Sequence, residues 1–126
     1  MSDKVNEIKN VLQHFNGTEM FYSMPIAKSK FTDGLKYLAE VAQCFWLITD
    51  ACVIGNSLKD KSYFITIDFK RLSEEEQHQQ QCEAVIIYSD GNDNTLKTQK
   101  YVSTDFPLDK LRLFYVDNTL MLPSEY

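Results

Sequence analysis

Apolar side chains near the start of the chain recur with the three- to four-residue spacing of an amphipathic helix. These positions are Val5, Ile8, Val11, Leu12 and Phe15. Ser2 stands where it can cap the first turn, and Asn16-Gly17 is a typical helix stop. The pattern predicts a helix over about residues 3–15, followed by an irregular or short extended segment over 18–30.

Residues 32–58 carry the most apolar helical pattern of the chain. Thr32 or Asp33 can accept the N–H groups of its first turn. The second half is apolar on nearly all sides, which is typical of a buried element. Gly55-Asn56 favours an end there. The pattern leaves open whether the segment forms one long helix or two with a bend near Gln43.

From Lys61 onward the apolar period changes from helical to the two-residue alternation of strands. Residues 82–89 are more uniformly apolar than the rest, which favours a central strand, whereas 73–81 contain no apolar residue and indicate a solvated connection. The predicted strands cover residues 61–72, 82–89, about 95–102, 111–116 and 119–122, the last two joined by a turn at Asp117-Asn118. We therefore expect a single α+β domain over residues 1–126. Its N-terminal helices pack on one face of a four- to five-stranded, mostly antiparallel sheet.

The charge balance is mildly acidic, with 13 basic and 18 acidic residues and a net charge of −5. The basic residues stand mostly in separate pairs, at Lys28 and Lys30, Lys59 and Lys61, Lys70 and Arg71, Lys97 and Lys100, and Lys110 and Arg112. A protein that grips a phosphate backbone usually carries a basic stripe, and none is visible in the sequence. We expect no direct contact with nucleic acid, although a patch could assemble from these pairs on folding. Mild acidity suits the basic surface of another protein.

No apolar run approaches the roughly 20 residues that span a bilayer, and the N-terminal residues lack the apolar stretch of a secretion signal. The three cysteines stand in apolar surroundings, which fits a reducing compartment better than a disulfide framework. We expect a cytoplasmic protein without membrane contact.

The segment Asp90-Gly91-Asn92-Asp93-Asn94 imitates the start of a calcium loop. Such a loop needs Gly at its sixth position and Glu at its twelfth, where this chain has Thr95 and Tyr101. A hairpin turn is the expected structure. The cysteines and histidines form no close pair of the kind that binds zinc, and the four glycines are isolated, so no phosphate-binding loop exists. We expect no metal and no cofactor.

Asp68-Phe69-Lys70 is the sharpest candidate for catalysis. Some metal-dependent nucleases place an acid and a lysine two residues apart on one strand face, where the acid holds a divalent ion and the lysine stabilises developing charge. Asp50 or Asp60 could supply the second acid. The alternative is that Asp68 and Lys70 lie on the water-facing side of an alternating strand.

A second candidate surface is the polar face of the 32–58 pattern, formed by Asp33, Lys36, Tyr37 and Glu40. Lys36 and Glu40 are four residues apart and can pair on a helix surface. Tyr37 is of a type that interfaces favour, although a core position is more common for it.

Three stretches, residues 16–24, 31–48 and 104–126, with the motifs TDGLKYLAE, CFWL and LPSEY, resemble a family of small uncharacterised bacterial proteins often found on plasmids and phages. The family pattern places an acid directly after the WL element, where this chain has Thr49 and then Asp50. The resemblance implies a mobile-element or accessory setting and no mechanism.

Our leading hypothesis is a non-catalytic accessory protein that binds another protein, or a second copy of itself. A small metal-dependent hydrolase or nuclease that uses Asp68 and Lys70 is the alternative. The terminal LPSEY is expected to dock into the fold, because free tails are usually less apolar than LMLPSEY.

Overall fold

The structure is a computed structural model that describes residues 2–15, 21–24 and 28–126. Along the chain its elements are α1 (Ser2–Leu12), β1 (Phe21–Met24), β2 (Ser29–Thr32), α2 (Asp33–Val41), α3 (Phe45–Leu58), β3 (Phe64–Arg71), α4 (Glu74–Gln80), β4 (Ala84–Ser89), β5 (Thr95–Tyr101), β6 (Lys110–Val116), β7 (Thr119–Met121) and a 3-10 turn (Pro123–Glu125). The predicted stop at 16–17 lies outside the described residues.

The sheet has seven strands in the order β1-β2-β7-β6-β3-β4-β5. β2 and β7 run parallel, with Lys30 opposite Thr119, and the other neighbours are antiparallel. The prediction of a four- to five-stranded, mostly antiparallel sheet was therefore wrong. β1 and β2 have only four residues each, too few for alternation to identify them. They extend the sheet only because folding brings β2 beside β7, almost 90 residues further along the chain.

Residues 32–58 form two helices, α2 and α3, which answers the question that the pattern left open. The break contains Gln43, whose φ of 51° is left-handed. The Cys44 N–H then donates to the Ala39 carbonyl at 3.0 Å, which closes the end of α2. The expected stop at Gly55 was wrong, because α3 continues to Leu58.

The main core lies between one face of the sheet and the helices. Alternate residues of β3 face it, namely Ile65, Ile67 and Phe69, and so do Leu35 of α2 and Ile48 of α3. The intervening residues of the strands face the other way. On that side lies a small apolar cluster, formed by Leu72, Cys82 and Val85 with the half-buried Ile87.

Residues 73–81, predicted as a solvated connection, are solvent-exposed but helical over Glu74–Gln80. Ser73 caps α4 by accepting the Glu76 N–H at 3.2 Å, while Oε1 of Glu76 accepts the Ser73 N–H at 3.2 Å. Gln81 ends the helix in a left-handed conformation with φ 58°. The Ser-x-x-Glu capping box was visible in the sequence. It stabilises the first turn of α4, although this helix has no apolar face to bury.

The C-terminal residues dock into the fold, as the LPSEY motif predicted. Oε1 of Glu125 accepts the Thr32 hydroxyl at 2.5 Å, at the start of α2. The Tyr126 ring lies edge-on to Phe64 and Phe114, with centroids 5.3 and 5.6 Å away. In the part of the chain that the structure describes, no helix is long and apolar enough to cross a membrane.

Candidate binding face on the sheet

Three lysines lie in one row across the sheet face that points away from the helices. Lys110 of β6 is paired with Lys70 of β3, and Lys70 is paired with Val85 of β4. Val85 is in turn paired with Lys100 of β5. Because paired residues point to the same side of a sheet, the three lysine side chains share this face with Val85 between them.

The neighbouring row carries an ion pair and an apolar residue. Arg112 lies opposite Asp68, and Asp68 lies opposite Ile87. The Arg112 Nε and Nη2 atoms donate to the two Asp68 oxygens at 2.7 and 3.1 Å, a fork-like contact that raises the pKa of Arg112. The Arg112 side chain is still 58% exposed, so it can bind a further acceptor.

We call Lys70, Lys100, Lys110 and Arg112 the cationic face. The contacts found for them within the described residues are with two carboxylates, Asp68 on Arg112 and Glu76 on Lys70 at 3.7 Å. The pKa of Glu76 is lowered, first by its hydrogen bonds to the backbone and the side chain of Ser73 and then by the charge of Lys70. A chain of net charge −5 therefore gathers an excess of positive charge on one side.

A shallow cleft of about 430 Å³ runs along this face. It is lined by Asp68, Phe69, Lys70, Ile87, Lys110, Leu111 and Arg112. Ile87 supplies an apolar side chain among these charged residues, an arrangement that fits a partner with both apolar and acidic groups.

At the other end of the same face, three aromatic rings form a contiguous group. Phe64 and Phe114 lie 4.8 Å apart between centroids, and Tyr126 covers both while remaining 70% exposed. The Gly91 turn approaches from above, where a Cβ atom would lie 3.2 Å from the Phe64 ring. The rings extend the apolar part of the surface beyond the cationic face.

The structure places the predicted pair Asp68 and Lys70 on this face, on the same side of β3. Both Asp68 oxygens are engaged by Arg112. Asp50 lies on the helix side of the sheet, where it accepts the Tyr101 hydroxyl at 2.9 Å. Within residues 2–15, 21–24 and 28–126, no three acidic, histidine or cysteine side chains are close enough to share a metal ion. The hydrolase hypothesis stays a prediction.

The second predicted surface, on α2, is largely occupied by contacts within the chain. Lys36 pairs with Glu40 at 3.4 Å and lies 4.7 Å from the centre of the Tyr22 ring. The Tyr37 ring packs on Phe15, with centroids 5.8 Å apart. Asp33 is half-buried in the first turn of α2. A binding role for Asp33, Lys36, Tyr37 and Glu40 stays a prediction.

Sequence reasoning missed Lys100, Lys110 and Arg112 as members of one surface. They come from β5 and β6, at least 30 residues after Lys70, and only the register of the sheet brings them together. A usable signal existed for Arg112, which lies between Leu111 and Leu113 in β6.

Residues 6–126 match a family of unknown function, DUF6876. No curated protein and no solved structure shows significant similarity to the chain. Because the match covers nearly the whole chain, the protein belongs to the DUF6876 family of unknown function.

Proposed function

We propose that this protein is a non-catalytic accessory protein that binds an acidic segment of another protein through the cationic face. One observation carries the proposal: four cations from β3, β5 and β6 are gathered on one sheet face of a chain whose net charge is −5. The mobile-element setting is part of the proposal and rests on the resemblance of residues 31–48 and 104–126.

The spacing of the cations suits a peptide in extended conformation. Neighbouring strands lie about 4.8 Å apart, so the row from Lys110 through Lys70 to Lys100 spans roughly 14 Å. Side chains on one face of an extended peptide repeat about every 7 Å. Acidic residues two and four positions apart could therefore reach successive cations, while apolar residues cover Ile87.

An acidic protein segment fits this face better than a nucleic acid does. Asp68 and Glu76 stand among the cations and would repel a phosphate backbone, which carries charge at every nucleotide. The net charge of −5 would repel a long polyanion as well. A short acidic peptide meets only the local excess of positive charge.

The test is fluorescence anisotropy with a labelled peptide of alternating aspartate and serine. The triple variant Lys70→Gln, Lys100→Gln and Lys110→Gln should bind it at least about tenfold more weakly than the unchanged protein, a loss of about 1.4 kcal/mol. The matched control, Lys4→Gln, Lys9→Gln and Lys59→Gln, removes three exposed lysines elsewhere and should bind normally. Affinity should also fall with salt.

Further measurements distinguish an acidic peptide from the other possible partners, a nucleic acid and a second copy of the chain. A peptide with asparagine in place of aspartate should not bind. Equal affinity of the triple variant and the control variant would contradict the proposal, as would tighter binding of oligothymidylate than of the acidic peptide. A dimer that dissociates only in the triple variant would assign the face to a second copy of the chain instead.

A further inference from the structure

A second cleft, of about 540 Å³, lies where the start of α3 meets the end of β5. It is lined by Trp46, Tyr101, Ser103, Thr104 and Asp105. Because Tyr101 pairs with Ala84 of the main core, the cleft lies on the helix side of the sheet, away from the cationic face. Its volume falls within the range of about 300–1,000 Å³ that small-molecule sites occupy.

The wall of this cleft is aromatic and held in place by packing. The rings of Trp46 and Tyr101 lie 5.4 Å apart between centroids, tilted by 58°. Phe106, only 1% exposed, packs edge-on to Trp46 with centroids 6.4 Å apart. The Tyr101 hydroxyl is tied to Asp50 at 2.9 Å. Trp46 and Tyr101 are both partly exposed and line the cleft, so a ligand can contact the two rings without displacing the core.

The charged residue in the cleft lining is Asp105, which is exposed and makes no ion pair with the described residues. Arg71, which donates to the Phe106 carbonyl behind the wall, is paired with Asp109. Asp50 holds Tyr101, and Oε2 of Glu83 accepts the Thr104 N–H at 3.1 Å. The cleft therefore presents negative charge beside aromatic faces, the combination that attracts an organic cation.

An unused polar group lies close to the cleft. The hydroxyl of Tyr88 is completely buried and has no hydrogen-bond partner among the described residues. Burial, and to a lesser extent the nearby charge of Asp50, raise the pKa of Tyr88, so its hydroxyl stays protonated. Burial and the hydrogen bond to Asp50 likewise keep Tyr101 protonated by raising its pKa. Both phenols remain neutral, and the carboxylates carry the charge.

We propose that this cleft binds a guanidinium group carried on an aliphatic chain, stacked on Trp46 and paired with Asp105. A guanidinium is planar, weakly hydrated and able to stack on an aromatic face while it donates two parallel hydrogen bonds to a carboxylate. The hydroxyl of Ser103 provides an acceptor for a remaining N–H group, whereas that of Thr104 already accepts the Phe106 N–H at 3.2 Å. The inference stands independently of the proposed function, since it uses the other side of the sheet.

The chain offers its own reporter for this site, because Trp46 is the only tryptophan. Selective excitation of tryptophan should show saturable quenching or a spectral shift when butylguanidine is added. Butylurea has nearly the same shape but no charge, and it should produce no saturable change. Equal responses to both compounds, or no response to butylguanidine, would overturn the proposal.

Asp105→Asn should weaken butylguanidine binding by about tenfold, because it removes the paired charge and keeps the shape. The matched control is Asp93→Asn, which changes the net charge equally in the exposed turn at the opposite end of β5. It should bind normally, and equal weakening in both variants would contradict a local contact. Should Asp105→Asn fail to fold, the unchanged protein gives a second measure: its affinity must fall as salt rises.

The guanidinium group could belong to an arginine side chain of a protein or to a free small molecule. Arginine whose amino and carboxyl groups are both blocked distinguishes these two sources. Binding of blocked arginine as tight as that of butylguanidine assigns the cleft to an arginine side chain of a protein. Binding of butylguanidine alone assigns it to a free small molecule, because the blocked backbone then does not fit. Failure of both compounds would overturn the inference and leave the proposal for the cationic face untouched.

Discussion

The main-chain N–H of Gly34 donates to Oε2 of Glu125 at 3.3 Å, which joins the first turn of α2 to the last turn of the chain. A carboxylate at this position also interacts favourably with the positive end of the helix dipole. The approach requires a residue without a side chain. A Cβ atom at position 34 would lie 2.5 Å from Cδ1 of Leu122 and 2.9 Å from Oε1 of Glu125.

Gly34→Ala should therefore lower the free energy of unfolding by about 1–2 kcal/mol, measured by urea denaturation. Alanine favours a helix over glycine by about 1 kcal/mol, so the clash must exceed that gain. Leu122 is buried and cannot move away freely. A variant at least as stable as the unchanged protein would show that the terminal turn detaches at little cost.

Glu125→Gln tests the hydrogen bond between Glu125 and Gly34 without adding a Cβ atom at position 34. Glutamine keeps the shape of glutamate and loses its charge. The substitution should cost about 1 kcal/mol, less than Gly34→Ala, since one amide oxygen can still accept a hydrogen bond. In a double variant the two losses should not add, because both substitutions disturb the same contact.

Gly55→Ala should be the more damaging glycine substitution, with a loss of about 3 kcal/mol in the same unfolding assay. A Cβ atom there would lie 2.8 Å from Cγ of the Tyr115 ring. The ring is 1% exposed, and its hydroxyl is held by Ser29 Oγ at 2.6 Å, so it cannot retreat.

The control for Gly55→Ala is the same substitution in a Tyr115→Leu background. Leucine leaves room for a methyl group, so the substitution should cost less there than in the unchanged protein. An identical cost in both backgrounds would show that the Tyr115 ring is not the cause.

Ser73→Ala should destabilise the helical conformation of α4 without unfolding the rest of the protein. Loss of an N-cap typically costs about 1 kcal/mol, and α4 has no buried residue to compensate. Amide hydrogen exchange over 74–80 should accelerate by about fivefold or more, while the urea midpoint of the whole protein changes little. Unchanged exchange in this segment would mean that the capping box does not maintain the helix.

Alkaline pH should weaken the fold through two buried thiols. Burial raises the pKa of Cys44 and of Cys52 from 9.0 to about 12, with a smaller contribution from Asp105 at Cys44. Above pH 9 the unfolded chain loses these protons while the folded chain keeps them, so stability is complete below pH 9 and falls as pH rises towards 12. Between pH 9 and pH 10 the two thiols should together lower the free energy of unfolding by about 2 kcal/mol. Tyr88 and Tyr101, whose pKa values are also raised by burial, add a smaller loss in the same direction, because the ordinary pKa of tyrosine is 10.0.

Cys52→Ala tests whether the buried thiols cause the loss of stability at alkaline pH, because it removes one of the two. The pH-dependent part of the free energy of unfolding between pH 9 and pH 10 should then fall by about 1 kcal/mol, the contribution of one thiol. A slope that Cys52→Ala leaves unchanged would place the alkaline sensitivity in other groups.

The features that the sequence determined by itself are those set by neighbouring residues. Alternation of apolar and polar residues located β3, a uniformly apolar run located β4, and turn signals bounded β5, β6 and β7, because all of these signals are local. Alternation also placed Asp68 and Lys70 on one side of β3. The helix signals located α1, α2 and α3, and the apolar LMLPSEY tail indicated docking. α4 was missed although its capping box was present, because a short helix without an apolar face lacks the periodic signal.

The tertiary structure alone decided how distant segments are combined. The parallel contact of β2 with β7 added two strands to the sheet, and no pattern within four residues can specify such a partner. The register of β3, β5 and β6 brought Lys70, Lys100 and Lys110 into one row. Both candidate sites arise this way, because periodicity tells which way a side chain points, whereas strand pairing and helix packing determine what lies beside it.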